Sequence, residues 1–262
     1  MINLLKHKIA DAELVLVGIG EEWGIRKADW QKNSLFTKAV NEWNLDEALI
    51  PFLQKYLIEE KPDESVQQKY EGYQYLERLL QDKNYFIVTL CTDGLIHRVN
   101  LRDERIVEPC GTIKKMQCIH RCTEDLYEVD EVWLHQFGSF LDQGTPERIE
   151  PFICPKCGSP LVLNTIEAEE YAEAGYLPQW NKYTKWLQGT VNRKVCILEL
   201  GVGMQFPTVI RWPFEKVAFF NQKASFFRVH SRLYQTADEI KDRSYGIQAL
   251  SEDFLKELSN EL

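Results

Sequence analysis

The sequence predicts a doubly wound, Rossmann-like α/β fold: a parallel sheet flanked by helices, with a small cysteine-bearing module inserted. Three observations predict it. Short all-apolar runs alternate with amphipathic stretches. Several of those runs end in a glycine turn. Four well-spaced cysteines interrupt the pattern in mid-chain. The length of 262 residues suits one large domain with a small attachment. We expect the Rossmann-like part over residues 1–110 and 190–262, and the inserted module over 111–189.

The elements follow in chain order. Leu14 to Val17 is apolar at every position and ends at Gly18, which reads as a buried parallel strand. Ser34 to Tyr56 has helical spacing, and Pro51 restarts or kinks it. Ser65 to Gln81 is an amphipathic helix with Tyr73, Leu76, Leu79 and Leu80 on its inner face. Tyr85 to Leu90 is a second strand, delivering the turn Cys91-Thr92-Asp93-Gly94. Val107 to Cys110 reads as another short strand. Gly111 to about Leu163 shows little periodicity and reads as the insertion. Glu167 to Ala174 and Trp180 to Leu187 read as helices, separated by Gly175 and Pro178. Val195 to Leu200 is a third apolar strand, ending at Gly201-Val202-Gly203. Val217 to Phe220 and Phe226 to Val229 read as a fourth and fifth strand. Ser251 is an expected N-cap for a last helix with Phe254, Leu255, Leu258 and Leu262 on its core face.

Composition excludes several classes. With 44% apolar and 27% charged residues the chain is not disordered. No apolar run approaches the roughly 20 residues of a membrane span, and the first residues carry no signal-peptide core, so the expected location is the cytoplasm. A net charge of −9 disfavours binding to nucleic-acid backbones. Seven cysteines in a reducing compartment call for a metal test first. Cys118 and Cys122 form a C-x3-C, and Cys154 and Cys157 a C-x2-C followed by Gly158. Two such knuckles supply the four thiolates of a structural zinc site with no open position. His120 is an alternative ligand within the first knuckle.

Strand ends carrying glycine are where doubly wound sheets bind ligands. Gly18 to Gly20, Cys91 to Gly94 and Gly201 to Gly203 are thus expected to wall one pocket. The order Gly18-Ile19-Gly20, then Thr89-Leu90-Cys91-Thr92-Asp93-Gly94-Leu95, then Glu108-Pro109-Cys110-Gly111, the two knuckles, and Gly201-Val202-Gly203-Met204-Gln205-Phe206-Pro207 resembles the sirtuins, NAD-dependent protein deacylases. The resemblance runs from about Glu13 to the last helix. It implies NAD as cofactor, an acylated or ADP-ribosylated protein as partner, and a cofactor site drawn from Gly18, Gly20, Arg26, Cys91, Asp93, Gly201 and Gly203. It also implies that Asn221, after Phe219-Phe220, holds the adenosine ribose, and that Ser244-Tyr245-Gly246 lies near the adenine. Asp93 and Cys110 stand at the catalytic positions.

The departures bear on chemistry. Cys110 stands where the family has its catalytic histidine, and Cys91 where it has an asparagine. A thiol near pKa ~8.5 is a poorer base at neutral pH than an imidazole near ~6.5. Cys110 therefore reads either as a small buried residue or as a nucleophile or base tuned by its neighbours. Glu21 and Glu22 follow the first glycines and would repel a pyrophosphate unless Arg26 or Lys27 compensates. The family's hydroxyl after the late glycine turn is Gly203. The Phe-Gly-Glu expected after the second knuckle is replaced by Asn164 and the following helices. These features imply a sirtuin-type transferase, performing deacylation, ADP-ribosyl transfer or NAD cleavage. The alternative is a catalytically degenerate module that senses NAD or ADP-ribose, or binds a protein, around a structural zinc.

Overall fold

The computed structural model describes residues 1–260. Its strands are β1 (Leu14–Ile19), β2 (Tyr85–Thr89), β3 (Ile106–Val107), β4 (Gly111–Cys118), β5 (Tyr127–Glu128), β6 (Leu161–Thr165), β7 (Val195–Leu200), β8 (Ser225–Val229) and β9 (Ser244–Ile247). Its helices are α1 (Ile2–Asp11), α2 (Lys27–Trp30), α3 (Ser34–Asn41), α4 (Ile50–Glu59), α5 (Glu64–Leu80), α6 (Glu131–Gln143), α7 (Leu177–Gln188), α8 (Arg211–Phe220) and α9 (Ser251–Asn260). Six strands form one sheet in the order β3-β2-β1-β7-β8-β9, and every neighbouring pair is parallel.

Strand β1 is buried at all six positions because both sheet faces are covered. Its alternate residues feed two cores. Val15, Val17 and Ile19 join the core containing Leu5 of α1, Tyr73 and Leu76 of α5, and Phe254 of α9. Leu14 and Leu16 join the opposite core, with Tyr183 of α7 and Phe214 of α8. The chain leaves β1 toward β2 on one side and returns at β7 on the other. The order thus reverses between β1 and β7, where such sheets form a ligand crevice.

The second sheet has the order β5-β4-β6 and is antiparallel. It carries the first cysteine knuckle at the end of β4. Of the excursion between the knuckles, α6 is the main element. Asp130 caps it through the Trp133 amide, and its Leu134, Phe137 and Leu141 are buried. The Phe137 ring lies 6.0 Å from that of Tyr56 on α4, so α3, α4 and α6 make a helical lobe beside the small sheet.

Several elements differ from expectation. Val217 to Phe220 is the last turn of α8 and not a strand; four apolar residues satisfy either period. Glu167 to Ala174 forms turns and a single 3-10 turn at Glu173–Gly175. Helix α7 packs on the large sheet, with Tyr183 and Trp186 against Phe86. Ser251 does not cap α9; its hydroxyl donates to the Val229 carbonyl, 3.2 Å away. Helix α1 was not anticipated; Leu5 and Ile9 bury it. Leu262 lies outside the described residues.

Candidate functional site

The carboxyl ends of β1, β2 and β7 meet at the reversal point and are knitted by backbone bonds. Gly20 N–H donates to the Leu200 carbonyl at 2.9 Å, Leu90 N–H to Ile19 at 2.8 Å, and Glu22 N–H to Gly201 at 3.1 Å. A Cβ on Gly20 would overlap the Gly201 carbonyl and the Val202 Cα. Only glycine lets the β1 and β7 turns close this tightly. A Cβ on Gly18 would press on the side chains of Ile210 and of Phe214 in α8. Gly201 has a positive φ of 64° and abuts Glu22.

Beyond these strand ends lies a cavity of about 670 Å³, within the usual range for small-molecule sites. Its walls come from the strand ends (Glu21, Cys91, Asp93), the helical lobe (Phe36, Val40, Ile50) and the small sheet (Ile113, Leu163, Thr165). Among the described residues its lining includes the carboxylates of Glu21, Asp93 and Glu167 and no Lys, Arg or His. Trp30 and Phe36 stack at 5.8 Å on its rim, whereas Trp23 is fully buried in the core.

Asp93 is the polar centre of this cavity. Its Oδ1 accepts from the Leu95 amide at 2.9 Å, opening the turn at Gly94. Its Oδ2 is buried and has no partner among the described residues. Burial, with the nearby Glu108 charge, outweighs the Leu95 bond and pushes its pKa up to about 6. A buried polar atom without a partner asks for a ligand or water. Cys91, 6% exposed, donates its thiol toward the Gly20 carbonyl at 3.6 Å, and burial pushes its pKa far up.

The second polar feature is a set of backbone donors after β7. The Gly203 and Gln205 amides both donate to the Glu21 carboxylate, to Oε2 at 3.2 Å and to Oε1 at 3.1 Å. Such paired amides are an anion cradle. Glu22 does the same one strand over: its carboxylate accepts from the Ser231 amide at 3.1 Å and from the Ser231 hydroxyl. Beneath the cradle, Arg211 donates to the Val202 carbonyl at 2.9 Å and the Leu233 carbonyl at 3.0 Å. An unpartnered carboxylate and paired backbone amides are the kinds of group that engage the polar head and the phosphates of a nucleotide cofactor.

Cys110 is 4% exposed and belongs to the second core. Burial, and then the Glu21 charge, push its thiol up to about 12. It is a neutral thiol at physiological pH. His97 and His135 do not line this cavity. His97 lies between Asp103 and Glu108 at 2.7 and 2.9 Å. Burial works against its charge, but the two carboxylates prevail and its pKa is raised. His135 is a surface residue 3.7 Å from Glu60.

The remaining expected ligands are not brought to this cavity. Arg26 turns outward onto Asp29, with Nε 3.0 Å from Oδ2. Asn221 follows α8 and precedes β8, so it sits at the amino edge of the sheet. Its Nδ2 donates to Thr190 and Arg193 carbonyls, each at 3.0 Å. Tyr245 lies within β9, stacked 4.8 Å from Phe227. What stands at the carboxyl end of β8 is His230-Ser231; the expectation fell on Asn221 instead because Val217 to Phe220, read as a strand leading into it, is helix.

In the inserted module the four sulfurs of Cys118, Cys122, Cys154 and Cys157 lie within 4.8 Å of one another. The Cys118–Cys157 and Cys122–Cys154 separations are 3.5 and 3.6 Å. Four thiols at such spacing are a donor set that fits tetrahedral zinc. His120 is not one of this cluster.

No protein-family profile matches the chain. A protein ADP-ribosyltransferase of Staphylococcus aureus is 24% identical over 176 residues, spanning 66% of this chain and 56% of that protein. A probable bifunctional ADP-ribose hydrolase/ADP-ribosyltransferase of Fusarium oxysporum is 27% identical over 135 residues, 50% of this chain and 23% of that protein. The chain thus matches about half or less of the length of these curated relatives. A sirtuin solved to explain substrate affinity superposes with a TM-score of 0.57 at 14% identity, covering 100% of this chain and 98% of that one. A Sir2 homologue bound to 2′-O-acetyl-ADP-ribose superposes with a TM-score of 0.56 at 13% identity, covering 99% and 95%. Among the described residues, no helix is long and apolar enough to cross a membrane. With its six-stranded parallel sheet, its four-cysteine insertion and this full-length superposition, the chain has the sirtuin fold in divergent form.

Proposed function

We propose that the chain is an NAD-dependent transferase of sirtuin type, acting in the cytoplasm, that moves ADP-ribose to a protein nucleophile. A Rossmann-like part (1–110, 190–262) would hold the cofactor, and a zinc-stapled module (111–189) would complete the site. The observation that carries the reading is Asp93: a buried carboxylate with one free oxygen, in a cavity at the reversal point of the sheet. The ADP-ribosyltransferase relatives support it. NAD bound there would supply an ADP-ribosyl electrophile on loss of nicotinamide.

The chain's own residues act as follows. Asp93, with its pKa at about 6, is mostly ionised at neutral pH. In this cavity its charge offsets developing positive charge and its free oxygen accepts a hydrogen bond. Gly18 and Gly20 keep the strand ends close, and the Gly203 and Gln205 amides offer donors to an anion. Cys91 fills the wall behind Asp93. Cys110, held as a thiol, takes no proton at neutral pH. That favours ADP-ribosyl transfer or NAD cleavage over deacylation, which needs a base at that place. The amides' occupation by Glu21 favours a second reading, an ADP-ribose-sensing module without turnover.

The test is nicotinamide release from NAD by the zinc-loaded chain. Release that falls about 100-fold or more in Asp93→Asn is expected. Release at the parent rate in that variant overturns the assignment of Asp93. Absence of release with ADP-ribose binding retained selects the sensing reading.

A further inference from the structure

Glu21 occupies an unusual position. Its two oxygens take the two amides that follow β7, one each. The fit is built from both sides. A Cβ on Gly203 would overlap Glu21 Oε1, so the carboxylate reaches the cradle only because residue 203 has no side chain. The sequence departs from the sirtuin pattern at one of the two partners, with a glycine at 203 where the family has a hydroxyl. Among the described residues, no cation of the cavity lining shares the Glu21 charge. Arg26, the nearest basic residue in sequence whose side chain is described, is turned onto Asp29.

We propose that Glu21 is the specificity-determining residue of the cofactor site: an internal carboxylate that competes with the ligand's phosphates for the Gly203 and Gln205 amides. The proposal rests on the cofactor reading above. A carboxylate and a phosphate oxygen make the same charge-assisted bonds to backbone N–H groups. They cannot share the cradle, because like charges at hydrogen-bond distance from the same donors repel. A dinucleotide therefore binds with Glu21 swung out, and its affinity is reduced by the fraction of molecules in which the cradle is filled. A ligand without phosphates meets no such competition.

Calorimetric titration of the zinc-loaded chain with ADP-ribose tests this in three proteins: the parent, Glu21→Ala and Gly203→Ala. Glu21→Ala frees the amides outright. Gly203→Ala expels the carboxylate with a methyl group and keeps the charge. ADP-ribose should bind about tenfold tighter or more in Glu21→Ala, with a smaller gain in Gly203→Ala. Nicotinamide riboside, a phosphate-free cation, should gain nothing from Glu21→Ala. Equal ADP-ribose affinity in the parent and Glu21→Ala overturns the competition and leaves the cofactor reading standing. Failure of Glu21→Ala to bind ADP-ribose at millimolar concentration overturns both.

Discussion

Replacing Asp93 by Asn should stabilise the protein, and by an amount that depends on pH. The carboxylate is buried, keeps one hydrogen bond through Oδ1, and leaves Oδ2 without a partner. Its pKa rises from 3.8 to about 6. The folded state therefore holds this proton more tightly than the unfolded chain. Below about pH 3.8 the group is neutral in both states; as pH rises toward 6 the folded state loses stability, and above 6 the loss is complete. Two pK units correspond to about 3 kcal/mol in full. Asn keeps the bond from the Leu95 amide and does not titrate. Any packing cost of the amide is the same at every pH. The stability gap between variant and parent should therefore widen by about 1.4 kcal/mol between roughly pH 5 and pH 7.5. Urea unfolding of both proteins at fixed zinc concentration reads this gap directly. The comparison cancels other groups that titrate in the same range, Glu199 among them. A gap that does not change with pH refutes the reasoning, because Asp93 would then not be a strained, desolvated carboxylate. A variant that is more stable yet loses nicotinamide release would place Asp93 among residues kept for function at a cost in stability.

Two further predictions concern what holds the scaffold. Purified protein should carry one zinc per chain, and Cys154→Ser should lose it with a marked fall in melting temperature, since metal binding at such a site is worth about 10 kcal/mol of folding free energy; unchanged melting on chelation would refute a structural metal. Arg228 is fully buried, with Nε 2.6 Å from Glu199 and Nη1 2.8 Å from Glu215. Arg228→Met strands Glu199 and should cost about 3–5 kcal/mol in denaturant unfolding above neutral pH. The cost should shrink as pH falls, because burial already lifts the Glu199 pKa to about 7 and its protonation removes the stranded charge.

The zinc knuckles were legible in the sequence because ligand spacing is a local constraint: two cysteines three or four residues apart can meet one ion whatever the rest of the chain does. The strands ending at Ile19, Thr89 and Leu200 were legible for a similar reason, since a strand buried on both faces is a mostly apolar run, Glu199 and Thr89 being the polar exceptions here. Asp93 could be named because a turn after a strand places it. Short apolar runs were ambiguous, and Val217–Phe220 went to a helix because α8 must carry the chain from the carboxyl edge of β7 back to the amino edge of β8. That one crossover removes Asn221 from the cavity and puts His230-Ser231 where a β8 ligand would stand. The partner of Glu21 was equally out of reach of sequence. A backbone amide has no letter of its own, and residues 21 and 203 become neighbours only when β1 and β7 pair. Spacing along the chain determined where the cysteine cluster and the strand ends lie; the pairing of distant strands decided which charges face the cavity and which amides they fill.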